Sequence, residues 1–227
     1  KEGVNTFAVH IYYQGLINRV WVSGDLRSMF WCELYLDGKV ALVSDESWLT
    51  ATHTGYSSCG IIGYETAFAE RYDSSAKEIG FEKESFDDSQ WQPASIYKQT
   101  DYILQKSPIQ PLSVYLKKPI YTERKGEVLF VDFGQEMVGY LRAKAKGKQG
   151  DKILLRFGEE LNPDGSVRFD MRCNCRYEEE WILSGKEDVL DQFDYKAFRY
   201  CEIMIPEGAS VRDVEMQVRH YPYEKKA

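Results

Sequence analysis

Apolar residues in the second half of this chain recur at every second position, and that period decides what it can fold into. In Gly139–Lys146, Leu141, Ala143 and Ala145 fall on one side and Tyr140, Arg142, Lys144 and Lys146 on the other. A strand sends successive side chains to opposite faces, so this pattern gives one dry face and one charged face. Asp151–Phe157 repeats it with Ile153, Leu155 and Phe157, Arg176–Leu183 with Tyr177, Trp181 and Leu183, and the later run with Val214, Met216 and Val218. Val128–Phe133 is apolar on both faces, as a central strand is. A helical period of 3.6 is not sustained anywhere.

Turn chemistry separates these runs. Asp37-Gly38 stands between Glu33–Leu36 and Val40–Val43, the signature of a tight hairpin. Lys148-Gln149-Gly150, Pro163-Asp164-Gly165, Ser184-Gly185 and Pro206-Glu207-Gly208 mark further turns. Many short strands between turns predict an all-β chain of sandwich type. Residues 4–12 also read as a strand. Thr66–Ala76, with Ala67 and Ala69, reads equally as helix, and Phe81–Trp91 as a short helical turn or a loop. Ser107-Pro108-Ile109-Gln110-Pro111 resists both helix and central strand, which predicts a boundary between units 1–107 and 108–227. The first unit holds four of the five tryptophans, Trp21, Trp31, Trp48 and Trp91. No internal repeat or low-complexity tract interrupts either unit.

Composition narrows the class. At 43% hydrophobic and 14% aromatic residues, the 227-residue chain is too apolar to remain disordered. Its 29 basic and 36 acidic residues leave a net charge of −7, which argues against nucleic acid or an anionic membrane as partner. No run of about 18 apolar residues is present to predict a spanning helix. The chain opens Lys1-Glu2-Gly3 with neither an initiator Met nor a leader pattern, so the reading is a piece excised from a longer protein, with compartment left open. Cys32, Cys59, Cys173, Cys175 and Cys201 are odd in number and irregularly spaced, which predicts free thiols; Cys173-Asn174-Cys175 lacks the spacing of a zinc ribbon.

An ordered series of strings carries a resemblance. It runs Gly3-Val4-Asn5, Ala8-Val9, Tyr12-Tyr13-Gln14-Gly15, Leu36-Asp37-Gly38, Ser44–Trp48, Tyr64-Glu65, Glu70–Asp73 and Phe86–Trp91. It continues with Asp132-Phe133-Gly134-Gln135, Val138-Gly139-Tyr140, Arg156–Gly165 and Phe198-Arg199-Tyr200. In this order the strings resemble the accessory region of bacterial α-L-rhamnosidases, glycoside hydrolase family 78. The resemblance implies two tandem β-sandwich modules. Residues 1–107 would be a truncated carbohydrate-binding-type, galactose-binding-like jelly roll, and 108–227 a concanavalin-like sandwich. It also implies that the catalytic carboxylates belong to an (α/α)6 barrel that follows, so no catalytic residue carries over to this chain. One departure stands out: Tyr72-Asp73 is followed by Ser74-Ser75, without the Arg usual in the family.

The residues themselves offer little catalysis. A glycosidase needs two carboxyls about 5–9.5 Å apart across the sugar. Glu159-Glu160, Asp164, Asp170 and Glu178-Glu179-Glu180 are candidates, but strand neighbours such as Glu178 and Glu179 point to opposite faces, which predicts solvated edge charges. His10, His53 and His220 accompany no nucleophile motif. Sugar contact is the better-supported chemistry, because it needs flat aromatic faces and planar polar groups. Tyr12, Tyr13, Asn18, Arg19 and Trp21 supply both in one short stretch, and Tyr64, Glu65, Arg71, Tyr72 and Asp73 offer a polar wall. No cofactor is expected. Calcium is the one metal with candidate oxygen ligands, at Asp45, Glu65 or Asp73. Val138-Gly139-Tyr140 and Phe198-Arg199-Tyr200 suit an intramolecular interface with the catalytic barrel.

The sequence therefore predicts the non-catalytic portion of an α-L-rhamnosidase that positions the barrel and holds rhamnose-containing glycans or glycosides. The alternative is a stand-alone lectin-like carbohydrate-binding protein. A self-contained glycosidase is a third reading, and it requires two carboxyls facing each other across one pocket.

Overall fold

The structure, a computed structural model, describes residues 3–13, 28–64, 67–98 and 103–223. All regular structure in them is β, and none of them forms a helix that could cross a membrane. The strands of the first half are β1 (Glu33–Leu36), β2 (Lys39–Val43), β3 (Leu49–Thr50), β4 (Tyr56–Ile62), β5 (Ala67–Asp73) and β6 (Gln92–Pro93). Those of the second are β7 (Ser113–Lys117), β8 (Tyr121–Lys125), β9 (Val128–Lys146), β10 (Lys152–Gly158), β11 (Glu178–Ile182), β12 (Glu187–Val189), β13 (Lys196–Met204) and β14 (Ser210–His220).

Ten of these strands form one folded sheet, ordered β4-β5-β11-β10-β13-β9-β14-β7, with β8 and β12 also paired to β9. The long strand β9 makes it a sandwich. Its first part, Val128–Asp132, runs between β13 and β8 in one layer, and its second part, from Gly139 on, pairs with β14 and β12 in the other. At the corner Asp132 pairs with Tyr200 and Met137 with Phe198, so Phe133–Glu136 bulge out opposite Arg199. Gly134 takes a positive φ of 79° there, where a Cβ would strike Ile120. Asp132 fixes the corner by accepting two hydrogen bonds from Arg199, both 2.9 Å, and one from the Gly134 N–H. The strings Asp132–Gln135 and Phe198–Tyr200 are thus two sides of one bend.

Between the layers Val131, Phe133, Ile153, Leu155, Phe157, Trp181, Phe198 and Ile203 meet Leu141, Ala143, Met216 and Val218 in a single core cluster. Phe198 stands edge-on to both Phe133 and Phe157. These are the inward positions of the period-two pattern. The hairpin at Asp37-Gly38 forms as β1–β2, with both turn residues at positive φ.

Other expectations resolve differently. Thr66–Ala76 is not helical: Ala67–Asp73 form β5, with Glu70 and Tyr72 buried on one face, Ala69 on the other, and the backbone paired to β4 and, from Arg71 to Asp73, also to β11. Phe81–Trp91 is a chain of tight turns rather than a helix. Residues 4–12, read as a strand, pair with no described strand; side chains such as His10 and Tyr12 hold them instead. Finally, β4 and β5 do not keep to their own half. They extend the sheet of residues 113–220 through a parallel β5–β11 pairing, the one parallel pair among the described strands. The remaining paired strands before residue 107 form two separate two-stranded sheets, β1–β2 and β3–β6.

Candidate functional site

The β5–β11 seam buries charge. Glu70 is 8% exposed, Glu179 1% and Lys196 4%. Each sits at an inward position: Glu70 two residues from Tyr72, Glu179 between Tyr177 and Trp181, Lys196 two residues from Phe198. Burying a charge this deeply is costly unless it is fully bonded, and here it is. Glu179 Oε1 accepts from the Lys196 ammonium at 2.8 Å and from the Glu70 N–H at 3.0 Å, while its Oε2 accepts from Gln192 Nε2 at 2.6 Å. Gln192 in turn accepts from the Leu141 N–H of the opposite layer at 2.9 Å. The Glu70 carboxyl accepts from the N–H groups of Phe193, at 2.9 Å, and Asp194, at 3.2 Å. Lys196 also donates to the Asp194 carbonyl.

Burial raises the pKa of both carboxyls. At Glu179 three donors touch the group and oppose the rise. At Glu70 burial and the neighbouring Glu179 prevail over Lys196 and the two backbone donors, and the pKa is pushed up to about 8. Burial opposes the charge on Lys196, but Glu179 and Glu70 outweigh it and hold its pKa above the usual value.

Around this cluster lies an aromatic shell. Phe193 packs on Tyr12 at 4.6 Å and on His10 at 4.9 Å, and His10 stacks on His53 at 5.0 Å. Tyr12 donates to Asp194 Oδ2 at 3.0 Å, and Tyr56 donates to Asp191. On the other side a cavity of about 100 Å3 opens between Ile62, Phe68, Cys175, Tyr177, Asp194 and Lys196. Cys175 also borders a more open cleft of about 440 Å3 with Glu159, Glu160, Arg168 and Arg172. Glu159 is raised by burial and by Glu136 and Glu160, but Glu160 is bound to Arg168 at 2.6 Å. The two acids are consecutive residues of one segment and do not face each other across the cleft as a glycosidase's pair does.

The acidic run Glu178–Glu180 divides between faces as strand geometry requires. The outward pair is neutralised: Glu178 binds Arg156 and Arg176, and Glu180 binds Arg71 and Lys152. Reading the whole run as solvated edge charges fails at Glu179, which faces the core because its register matches Tyr177 and Trp181.

Residues 122–220 match the family model described as the bacterial alpha-L-rhamnosidase concanavalin-like domain. Over this stretch, a little under half of its length, the chain is similar to that domain. The chain as a whole is 27% identical over 224 residues to an alpha-L-rhamnosidase of Formosa agariphila, covering 89% of this chain and 23% of that protein. Against an alpha-L-rhamnosidase of Streptomyces avermitilis it is 28% identical over 172 residues, covering 70% of this chain and 16% of that one. The crystal structure of a Streptomyces avermitilis alpha-L-rhamnosidase complexed with L-rhamnose superposes with a TM-score of 0.59 at 25% identity, over 83% of this chain and 18% of that one. The chain therefore spans less than a quarter of the length of these relatives.

The matched stretch contains Glu179 and Lys196, and β5 supplies Glu70 from outside it. Of the residues singled out in the sequence, Asn18, Arg19, Trp21 and Glu65 lie outside the described residues. The others do not share one set of partners. Tyr12 joins the seam, Arg71 is tied to Glu180 on the outer face at 2.5 Å, and Asp73 accepts from the N–H and hydroxyl of Ser75 in a local turn. Tyr13 and Tyr64 are exposed. Asp45 likewise caps Ser47, so the two described calcium candidates spend carboxylate oxygens on their own turns. No group of three or more metal-ligating side chains occurs among the described residues, and all five cysteines are free.

Proposed function

We propose that this chain is the non-catalytic β-sandwich portion of an α-L-rhamnosidase, and that it positions a catalytic (α/α)6 barrel acting on terminal α-L-rhamnosides. We further propose the division into modules 1–107 and 108–227, with β4 and β5 as the part of the first that grips the second. The observation that carries this reading is the short share of each relative that the chain covers, 16–23%, combined with acids that are either neutralised by Arg and Lys or buried in a bonded cluster. An aryl α-L-rhamnoside assay on purified 1–227 tests it. No turnover is expected. Turnover abolished by Glu159→Gln would overturn the assignment.

Carbohydrate contact is the second reading. It is favoured by the polar cavity beside Asp194, Tyr177 and Lys196 and by the exposed rings of Tyr13 and Tyr64. Asn18, Arg19, Trp21 and Glu65 would extend that contact. Titration calorimetry with L-rhamnose, galactose and rhamnose-containing oligosaccharides, with and without calcium, separates the readings. Binding weakened at least tenfold by Tyr13→Ala or Tyr64→Ala would support a lectin-like role; no heat with any sugar would leave positioning alone.

A further inference from the structure

The segment 190–195 connects β12 to β13 and is held almost wholly from beneath. Glu70 takes its two N–H groups at Phe193 and Asp194, Glu179 takes the Gln192 side chain, and Lys196 takes the Asp194 carbonyl. From above, the same residues hold the segment 3–13, since Phe193 carries the rings of Tyr12 and His10 and Asp194 accepts from Tyr12. Whatever loosens 190–195 therefore loosens 3–13.

We propose that Glu70 is a proton-operated clamp on this segment. With Glu70 protonated, Glu179 and Lys196 form a neutral pair and the segment stays closed. With Glu70 ionised, the dry cluster holds two carboxylates against one ammonium, and opening relieves the excess charge by letting water in. Two effects compete. The Phe193 and Asp194 N–H groups favour the carboxylate, whereas burial and Glu179 disfavour it, and the second pair prevails because only one cation is present to serve two anions.

The other titratable groups around the clamp are few. They are Asp191 and Asp194 on the segment itself, Tyr56 and Cys59 on β4, Tyr72 on β5 beside Glu70, and Tyr12 and His10 above. Burial and the nearby acids raise Tyr56 and Tyr72, and burial raises Asp194 against the opposing Tyr12 hydroxyl and Lys196 ammonium. Burial raises Cys59 to about 11, so neither it nor the tyrosines add charge near neutrality. His10 is lowered by burial and His53, and stays neutral in the same range.

Amide hydrogen exchange of Phe193 and Asp194 in the whole chain tests the clamp, with rates corrected for intrinsic base catalysis, between about pH 6 and pH 9. Protection should fall by up to roughly tenfold per pH unit as pH rises toward about 8, because the opened carboxyl ionises there and the closed one does not, and should level off above it, while the Leu155 amide in the core stays protected. Glu70→Gln should abolish the slope and keep both amides protected throughout. A flat profile in the unmodified chain, or a slope retained in Glu70→Gln, would overturn the proposal. Should that variant not fold, carboxyl 13C titration of Glu70 in the unmodified chain decides alone: a midpoint near pH 8 supports the clamp, and one at the ordinary carboxylate value refutes it.

Discussion

Gly139 has no room for a side chain. A Cβ there would stand 2.4 Å from the Gln217 carbonyl oxygen, so β9 and β14 close on each other only where the residue is glycine. Gly139→Ala should therefore lower stability by about 2–3 kcal/mol, read from urea denaturation, because the obstacle is backbone and cannot swing aside. Trp181 makes a different point. It is fully buried, and its indole N–H donates to Ser74 Oγ at 2.8 Å. Trp181→Phe removes that bond and leaves a void, and a loss of about 1–3 kcal/mol in the same measurement is expected. The sequence revealed Trp181 as core through its alternation with charged neighbours. The same alternation held the sign of Glu179, Glu70 and Lys196, which occupy inward positions next to Trp181, Tyr72 and Phe198. They escaped notice because an acid within an acidic run reads as solvated, and because the partners that neutralise it come from strands distant in sequence. A charged residue in an apolar register was the available signal.

At the scale of elements, the segment 3–13 is anchored by rings rather than by a ladder. His10 and His53 stack, and burial lowers both pKa values, with His53 adding to the effect at His10; Glu78 and Asp191 oppose it. A histidine with a lowered folded pKa contributes stability above its unfolded value of about 6.5, and that contribution is lost as pH falls through the folded value. Acidification from about pH 7 to pH 5 should thus release the segment, seen as faster proteolysis within 3–13, and His53→Gln should weaken that pH dependence without abolishing it, since burial still lowers His10. Strands were legible where period and turn agreed, as at β1–β2 and along β9. They were less so where tertiary pairing decided. Ala67 and Ala69 suit a helix, but β4 pairs with β5 from Ala67 to Tyr72 and β11 adds partners from Arg71 to Asp73. Residues 4–12 show the converse: β-prone residues with no described ladder to join.

At the scale of the molecule, the sheet ends on β7, whose outer edge pairs with none of the described strands. Val114, Tyr115 and Leu116 are 56%, 47% and 56% exposed, so this strand is uncovered on both faces. Its lysine comes only at the end, Lys117, which leaves the middle without the charge that usually guards such an edge. Sedimentation velocity of the isolated chain should show concentration-dependent self-association, and Leu116→Lys should suppress it while leaving the far-UV spectrum unchanged. The parallel seam has a consequence of another kind. Strands β4 and β5 stand well before residue 103 in the chain, yet their backbone is stitched to β11 and their carboxylate at Glu70 to the region after it. Severing the polypeptide anywhere in 103–112 would leave two fragments that still travel together through gel filtration, parting only in denaturant.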